Sequence, residues 1–156
     1  MAGEASGDLH GAKLISAIKN KSPKSRFVGH GGDKMTEAGL ERIIHIDRLA
    51  IVGFSEVIKH LPLMFKVMND SLVKIQELNP DRIILIDYPG FNLRLAKNCQ
   101  SLKIPITYFI LPQLWAWKEK RINTFRNYID QSLSIFPFEQ DWFESRGVYA
   151  NYIGHP

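Results

Sequence analysis

Asp87 is the residue whose position most clearly suggests chemistry. It follows the apolar run Ile83–Ile86 and precedes Pro89 and Gly90. An uninterrupted apolar run closed by turn residues is typical of a strand buried on both faces of a parallel sheet, and open α/β sheets bind ligands at the carboxyl ends of such strands. A carboxylate there can act as a general base, or bind a metal ion or sugar hydroxyls. The alternative is a helix N-cap, or a carboxylate held by backbone N–H groups.

The loop that leads into the first predicted helix is a second candidate. Its small residues Gly3, Ser6 and Gly7 would let backbone N–H groups approach an anion at a helix N-terminus. However, Glu4 and Asp8 would repel a phosphate, and the spacing fits neither a dinucleotide-binding loop nor a Walker loop. The alternative is a tight turn in which Ser6 or Asp8 is the N-cap of the helix.

The tripeptide His30-Gly31-Gly32 is similar to the oxyanion loop of esterases. Those enzymes also need a serine in a G-x-S-x-G turn, and the sequence contains no such motif. A glycine turn after a strand is therefore favoured for this segment.

Two tryptophans lie in a loop that follows a further predicted strand end. Trp115 and Trp117 suit packing against a sugar ring or an acyl chain, because an indole joins a large apolar face to a polar N–H group. A small hydrophobic core against the next helix is the alternative. The basic residues that follow could meet a phosphate or form a solvated helix face: Lys118, Lys120 and Arg121.

An apolar stripe at helical spacing begins at Val57. Lys59, His60 and Lys66 flank the stripe, which allows either a core-facing helix or a helix lying in a membrane interface. The members of the stripe are Val57, Ile58, Leu61, Met64, Phe65 and Met68.

Strand-like and helix-like segments alternate along the whole chain, which implies right-handed βαβ crossovers and a parallel sheet. The sequence therefore predicts an α/β fold, a Rossmann-like three-layer sandwich in one domain over residues 1–156. The third helix is expected to be disturbed near Pro62. Helices are predicted at 8–21, 33–38, 56–78, 91–102, 118–129 and 139–146, and strands at 26–29, 42–46, 82–86, 106–111, 132–136 and 150–153.

Composition narrows the class of protein. The net charge of +4 is mild, and it favours anionic partners such as phosphate or an acidic membrane surface. Nucleic acid is not expected as a partner, because no arginine-rich tract or Cys/His finger spacing is present. Cys99 is the single cysteine, so we expect a buried structural thiol and a reducing compartment. No signal peptide and no run long enough to span a bilayer are expected.

Several motifs, in order along nearly the whole chain, resemble the lipid-A-disaccharide synthase family of bacterial inverting GT-B glycosyltransferases (family 19). Each motif is weak alone, and their common order makes the resemblance specific. The motifs lie at 2–8, 26–35, 52–57, 86–92, 112–117, 133–139 and 154–156.

This resemblance implies the N-terminal, acceptor-binding half of a two-domain enzyme. The implied reaction joins UDP-2,3-diacylglucosamine to 2,3-diacylglucosamine 1-phosphate in a β-1,6 linkage and releases UDP, with no metal or organic cofactor. The implied location is the cytoplasmic face of the bacterial inner membrane, to which the enzyme binds peripherally. The resemblance is also compatible with a homodimer of the full-length protein.

The resemblance also assigns roles to individual residues. Asp87 is implied as the catalytic base, and the membrane-contacting helix falls on Val57, Ile58, Leu61, Met64 and Phe65. The implied substrate-binding residues are Gly3, Glu4, Ser6, Gly7, Asp8, Asn92, Gln113, Trp115, Trp117 and Arg121.

Two expected departures from the family bear on activity. The strand that precedes Gly3 in the family is expected to be missing, and the C-terminal donor-binding domain is expected to be missing as well. The chain is therefore expected to be inactive alone. The alternatives are another GT-B transferase that uses a UDP-sugar and a soluble acceptor, or a non-catalytic binding fragment.

Overall fold

The computed structural model describes residues 1–50 and 57–156, and the side chains of residue 50 and of residues 57–61 lie outside the described part. The chain divides into two compact units, Met1–Val67 and Met68–Pro156. Each unit contains a parallel sheet with helices, which confirms the predicted α/β class.

The first unit contains the two-stranded parallel sheet β1-β2, whose register runs from Phe27↔Leu40 to Gly31↔His45. Its core includes Ile15 and Met35. Close packing requires glycine at position 11, because a Cβ there would lie 2.5 Å from Met35 Sδ. The elements are α1 (Ala5–Lys21), β1 (Phe27–Gly31), α2 (Asp33–Glu37), β2 (Leu40–His45) and α3 (Ile46–Ala50).

Helix α4 (Val57–Leu78) begins in the first unit and ends in the second. It is continuous through Pro62, so the predicted disturbance does not take the form of a break. Among the described residues, no helix has both the length and the apolar character that crossing a bilayer would require.

The second unit is built on a four-stranded parallel sheet of order β3-β4-β5-β6. Every residue of β4 is buried between its two neighbouring strands and the helices, as expected for an inner parallel strand. Tyr108, Phe125 and Phe143 form the aromatic core, with ring centroids 5.0 and 5.3 Å apart. The elements are β3 (Ile83–Ile86), α5 (Pro89–Asn98), β4 (Ile106–Phe109), α6 (Ile122–Tyr128), β5 (Gln131–Ser134), α7 (Pro137–Glu144) and β6 (Ala150–Tyr152), with short 3₁₀ turns at Gln100–Leu102 and Glu119–Arg121.

The predicted strands and helices are all present, but several of their ends differ. Helices α5 and α7 begin two residues earlier than predicted, at Pro89 and Pro137, because proline fits the first helical position, where no N–H group is needed. The single helix predicted at 118–129 is a 3₁₀ turn followed by α6. Helix α3 was not predicted.

Candidate active site

Asp87 lies where the sequence placed it, directly after β3 at the carboxyl end of the sheet. Its N–H group donates to the carbonyl of Phe109 at 3.1 Å, so the ladder with β4 extends one residue beyond the strand. The side chain is half-buried. A carboxylate is therefore held at the edge where parallel α/β sheets bind ligands.

Backbone conformation is unusual at this point. Asp87 and Tyr88 both adopt left-handed backbone angles, with φ of 45° and 46°. Such a conformation costs about 1–2 kcal/mol for each residue that is not glycine, and it persists where surrounding contacts enforce it. Tyr88 then serves as the N-cap of α5 without a side-chain capping bond, so the alternative of Asp87 as N-cap is wrong.

The contacts that enforce this turn converge on the main-chain carbonyl of Asp87. Asn92 Nδ2 donates to that oxygen at 2.7 Å, and Tyr108 Oη donates to it at 2.6 Å. Asn92 Nδ2 also reaches the carbonyl of Ile86 at 3.2 Å. Both donors are buried side chains. The structure thus brings Asn92 beside Asp87, as an element that shapes the turn.

Burial shifts the pKa values of both titratable side chains at this turn. Partial burial raises the pKa of Asp87, and a hydrogen bond from the Tyr88 backbone opposes the change. Burial also raises the pKa of Tyr108 well above its usual value; the nearby Asp87 charge adds to this and that of Arg121 opposes it. Arg121 therefore lies within electrostatic reach of the same cluster. A carboxylate whose pKa is raised is better suited to accept a proton near neutral pH.

The tryptophan loop presents its indoles to solvent. Trp115 is 42% exposed and Trp117 is 73% exposed, whereas Leu114, the residue before Trp115, is buried. The alternative of a small core built from the two indoles is therefore wrong. The carbonyl of Gln113 accepts hydrogen bonds from the N–H groups of Ala116 and Trp117 at 3.1 and 3.4 Å, which closes the loop into a turn.

One indole has a defined neighbour. The Trp115 ring packs edge-on against Phe138 with centroids 5.3 Å apart. Glu139 follows and is fully buried; among the described residues, neither of its carboxyl oxygens completes a hydrogen bond of good geometry. Burial raises its pKa, although the Phe136 backbone and the Trp115 indole stabilise the ionised form in part. This aromatic surface could receive a flat ligand face.

Tyr108 and Glu139 were not among the predicted site residues. Glu139 had a sequence signal, because it is the third residue of a helix that begins at Pro137, where a glutamate often reaches back to the N-cap. Tyr108 had none beyond its place in a buried strand.

In the first unit, Asp8 has a defined structural partner. Helix α1 begins at Ala5 with Glu4 as N-cap, so the expectation that Ser6 or Asp8 caps this helix is wrong. The buried Asp8 carboxylate instead accepts hydrogen bonds from the N–H groups at the start of α2: Gly32 at 2.6 Å, Lys34 at 3.1 Å and Met35 at 3.1 Å.

The other residues of this loop differ in exposure. Glu4 and Ser6 are exposed, whereas Gly3 and Gly7 are buried. Glycine has no side chain, so only Glu4 and Ser6 of these four residues can offer side-chain contacts. All four stay predicted substrate contacts.

The segment His30-Gly31-Gly32 is the turn from β1 to α2, as favoured from the sequence. His30 is buried, and this burial lowers its pKa to about 3. Its imidazole is therefore neutral at physiological pH.

The apolar stripe on α4 is described only in part. The side chains of Val57, Ile58 and Leu61 lie outside the described residues. Phe65 is 66% exposed, and Met64 is half-buried. In the part of the chain that the structure describes, no group of three or more His, Cys, Asp or Glu side chains could hold a metal ion.

Comparison with known proteins supplies the family. A family model described as lipid-A-disaccharide synthetase matches residues 1–156. Lipid-A-disaccharide synthases from Acidobacterium capsulatum and Nitrosococcus oceani are each 43% identical to the chain, over 99% and 100% of its length. The corresponding protein from Myxococcus xanthus is 37% identical over 100% of the chain.

The chain spans about two fifths of these curated relatives: 39% of the Acidobacterium protein, 40% of the Nitrosococcus protein and 41% of the Myxococcus protein. The resemblance inferred from the motifs is confirmed, since the family match extends over every residue. This chain belongs to the lipid-A-disaccharide synthetase family.

Proposed function

We propose that the chain is the acceptor-binding part of a glycosyltransferase that joins UDP-2,3-diacylglucosamine to 2,3-diacylglucosamine 1-phosphate. The observation that carries this proposal is Asp87, a half-buried carboxylate held at the carboxyl end of β3, in a chain of the lipid-A-disaccharide synthetase family. An inverting transfer needs one base beside the acceptor hydroxyl, and burial has raised the pKa of this carboxyl in the direction that favours proton uptake.

In the proposed reaction, the acceptor 6-hydroxyl oxygen attacks the anomeric carbon of the donor sugar. The new C–O bond forms as the bond from the anomeric carbon to the diphosphate breaks, and inversion gives the β linkage. Asp87 takes the hydroxyl proton, and UDP leaves as an anion. No metal or organic cofactor enters this scheme, because the base and the leaving group account for the proton and the electron pair.

The substrate contacts follow from exposure. Trp115 and Trp117 present indole faces suited to a sugar ring or to the start of an acyl chain, with Gln113 exposed beside them. Arg121, whose charge reaches Tyr108, is proposed to meet the acceptor 1-phosphate. In the first unit, Glu4 and Ser6 are the proposed side-chain contacts of the loop.

We assign membrane contact to the stripe on α4. Its support is the exposed ring of Phe65, since a large apolar side chain left in water favours an apolar partner. Phe65→Ser should weaken binding of the protein to vesicles that contain anionic lipid. Val73→Ser, which changes another exposed apolar side chain of the same helix outside the stripe, is the control and should bind as well as the unchanged protein.

The donor site is proposed to lie mainly in the part of the family's length that this chain does not cover. The chain spans about two fifths of its relatives, so we expect no transferase activity from it alone. The positive groups that stabilise departing UDP are expected in that remainder.

The test is a chimera in which the chain replaces the segment that it matches in the Nitrosococcus oceani protein. We expect the chimera to convert the two lipid sugars into UDP and a β-1,6 disaccharide, identified by mass spectrometry and NMR. A folded chimera without this product, beside an active Nitrosococcus protein, would contradict the proposal. Equal turnover of a soluble acceptor that lacks acyl chains would favour the rival GT-B function.

A further inference from the structure

The carbonyl of Asp87 is held by two side chains at once. Tyr108 Oη donates to it at 2.6 Å and Asn92 Nδ2 donates to it at 2.7 Å, so both acceptor positions of that oxygen are occupied. These bonds lie within a turn of two successive left-handed residues, Asp87 and Tyr88. A backbone under such strain returns to ordinary angles unless its neighbours prevent it.

Tyr108 reaches this carbonyl from the adjacent strand. Its backbone is in register with Leu85 on β3, two residues before Asp87, and its ring is packed against Phe125 in the core. The side chain is completely buried, so a phenylalanine would fill the same space. The hydroxyl is therefore the part of this residue that packing does not explain, and its one described acceptor is the Asp87 carbonyl.

Asn92 reaches the same oxygen from α5. It is buried, and its amide also donates to the carbonyl of Ile86, so it ties the last residue of β3 and the first residue of the turn to the helix. The two donors come from different elements. Loss of one leaves the carbonyl held from one side only.

We propose that Tyr108 is a positioning residue for Asp87: with Asn92, it fixes the main-chain carbonyl and thereby the direction of the Asp87 carboxylate. The inference rests on the proposed function, in which that carboxylate is the base. A change of φ or ψ at Asp87 swings its side chain away from the acceptor hydroxyl, and misplacement by about 1 Å can lower a rate about 100-fold.

The experiment compares Tyr108→Phe with Thr107→Val in the chimera. Thr107 is the neighbouring buried hydroxyl of β4, and it bonds Arg82 and Gln131, so its replacement removes comparable bonds away from Asp87. We expect Tyr108→Phe to lower kcat about 10- to 100-fold with KM within about twofold, because the base is misplaced while substrate contacts remain. Thr107→Val should leave kcat and KM unchanged, although it should lower the melting temperature about as much as Tyr108→Phe does.

A double-mutant cycle with Asp87→Asn tests whether Tyr108 acts through Asp87. Tyr108→Phe should cause no further loss in the Asp87→Asn background. The proposal is overturned by an unchanged kcat in Tyr108→Phe, by a change confined to KM, or by the same fold-loss in both backgrounds. If Asp87→Asn has no measurable rate, the kcat and KM comparison with Thr107→Val decides.

Two further outcomes separate this inference from the proposed function. Full activity of Asp87→Asn would refute the proposal that Asp87 is the base. An inactive Asp87→Asn together with a fully active Tyr108→Phe would refute only the positioning role of Tyr108. If Tyr108→Phe does not fold, Asn92→Ala removes the other donor and must show the same kcat loss; unchanged kcat there also overturns the proposal.

Discussion

Replacement of Asp8 by alanine should loosen the start of α2. The buried carboxylate accepts hydrogen bonds from Gly32 N at 2.6 Å and Met35 N at 3.1 Å, both buried, and from Lys34 N at 3.1 Å, which is partly buried. A hydrogen bond to a charged group contributes about 1.5–3 kcal/mol, and loss of a capping side chain costs about 0.5–2 kcal/mol. Because the bonds share one carboxylate, their losses do not add, and we expect local opening to become easier by about 2–4 kcal/mol.

Amide hydrogen exchange of the chimera measures this loss directly. A change of that size should lower the protection of the Gly32 and Met35 amides roughly 30- to 700-fold, because each 1.4 kcal/mol is a factor of about ten. Asp33→Ala is the matched control, since this exposed acid of the same helix pairs with Arg42 at 2.7 Å and bonds neither amide. Unchanged protection in Asp8→Ala, or equal loss in Asp33→Ala, would refute the reasoning.

Three further predictions concern stability and reactivity. Gly32→Ala should lower the melting temperature by several degrees, since its Cβ would lie 2.5 Å from Asp8 Oδ2, whereas Gly90→Ala, with no described atom within 4 Å, should not. Burial raises the pKa of Glu139, so the protonated side chain adds to the stability of the folded protein below about pH 4.5, and this contribution is lost as the pH rises through the folded-state pKa. Glu139→Gln should therefore raise the melting temperature most at neutral pH, as thermal unfolding at several pH values would show. Burial raises the pKa of Cys99 to about 11, so iodoacetamide should label it, by mass spectrometry, only after unfolding.

The strand that carries Asp87 was predictable because its signals are local. Four consecutive aliphatic residues are typical of a strand buried on both faces, so the strand and the carboxylate that follows it could be predicted from adjacent residues. The start of α5 at Pro89 was not predicted, because a proline after a strand also fits a turn. The exposed Trp115 and Trp117 were less determined. Their residue type is compatible with a small core or with an exposed surface, and only the exposed fractions of the two indoles show that they form a surface.

Contacts between distant residues could not be read from the sequence. Asp8 was expected to cap its own helix, since capping rules use neighbouring positions, yet it caps α2 from 24 residues away. Likewise, the pattern of β4 indicates that Tyr108 is buried, but not that its hydroxyl reaches a carbonyl 21 residues earlier. Both bonds depend on which strand and helix come together, and local propensity does not specify this.

The turnover of Asp87→Asn in the chimera tests the central claim most directly. Asparagine has nearly the same shape, and the bonds from Asn92 and Tyr108 use the main chain, so the turn should persist and the melting temperature should change little. Without a base, kcat should fall about 10²- to 10⁴-fold. A folded Asp87→Asn protein whose kcat stays within about threefold of the unchanged chimera would contradict the assignment of Asp87 as the base.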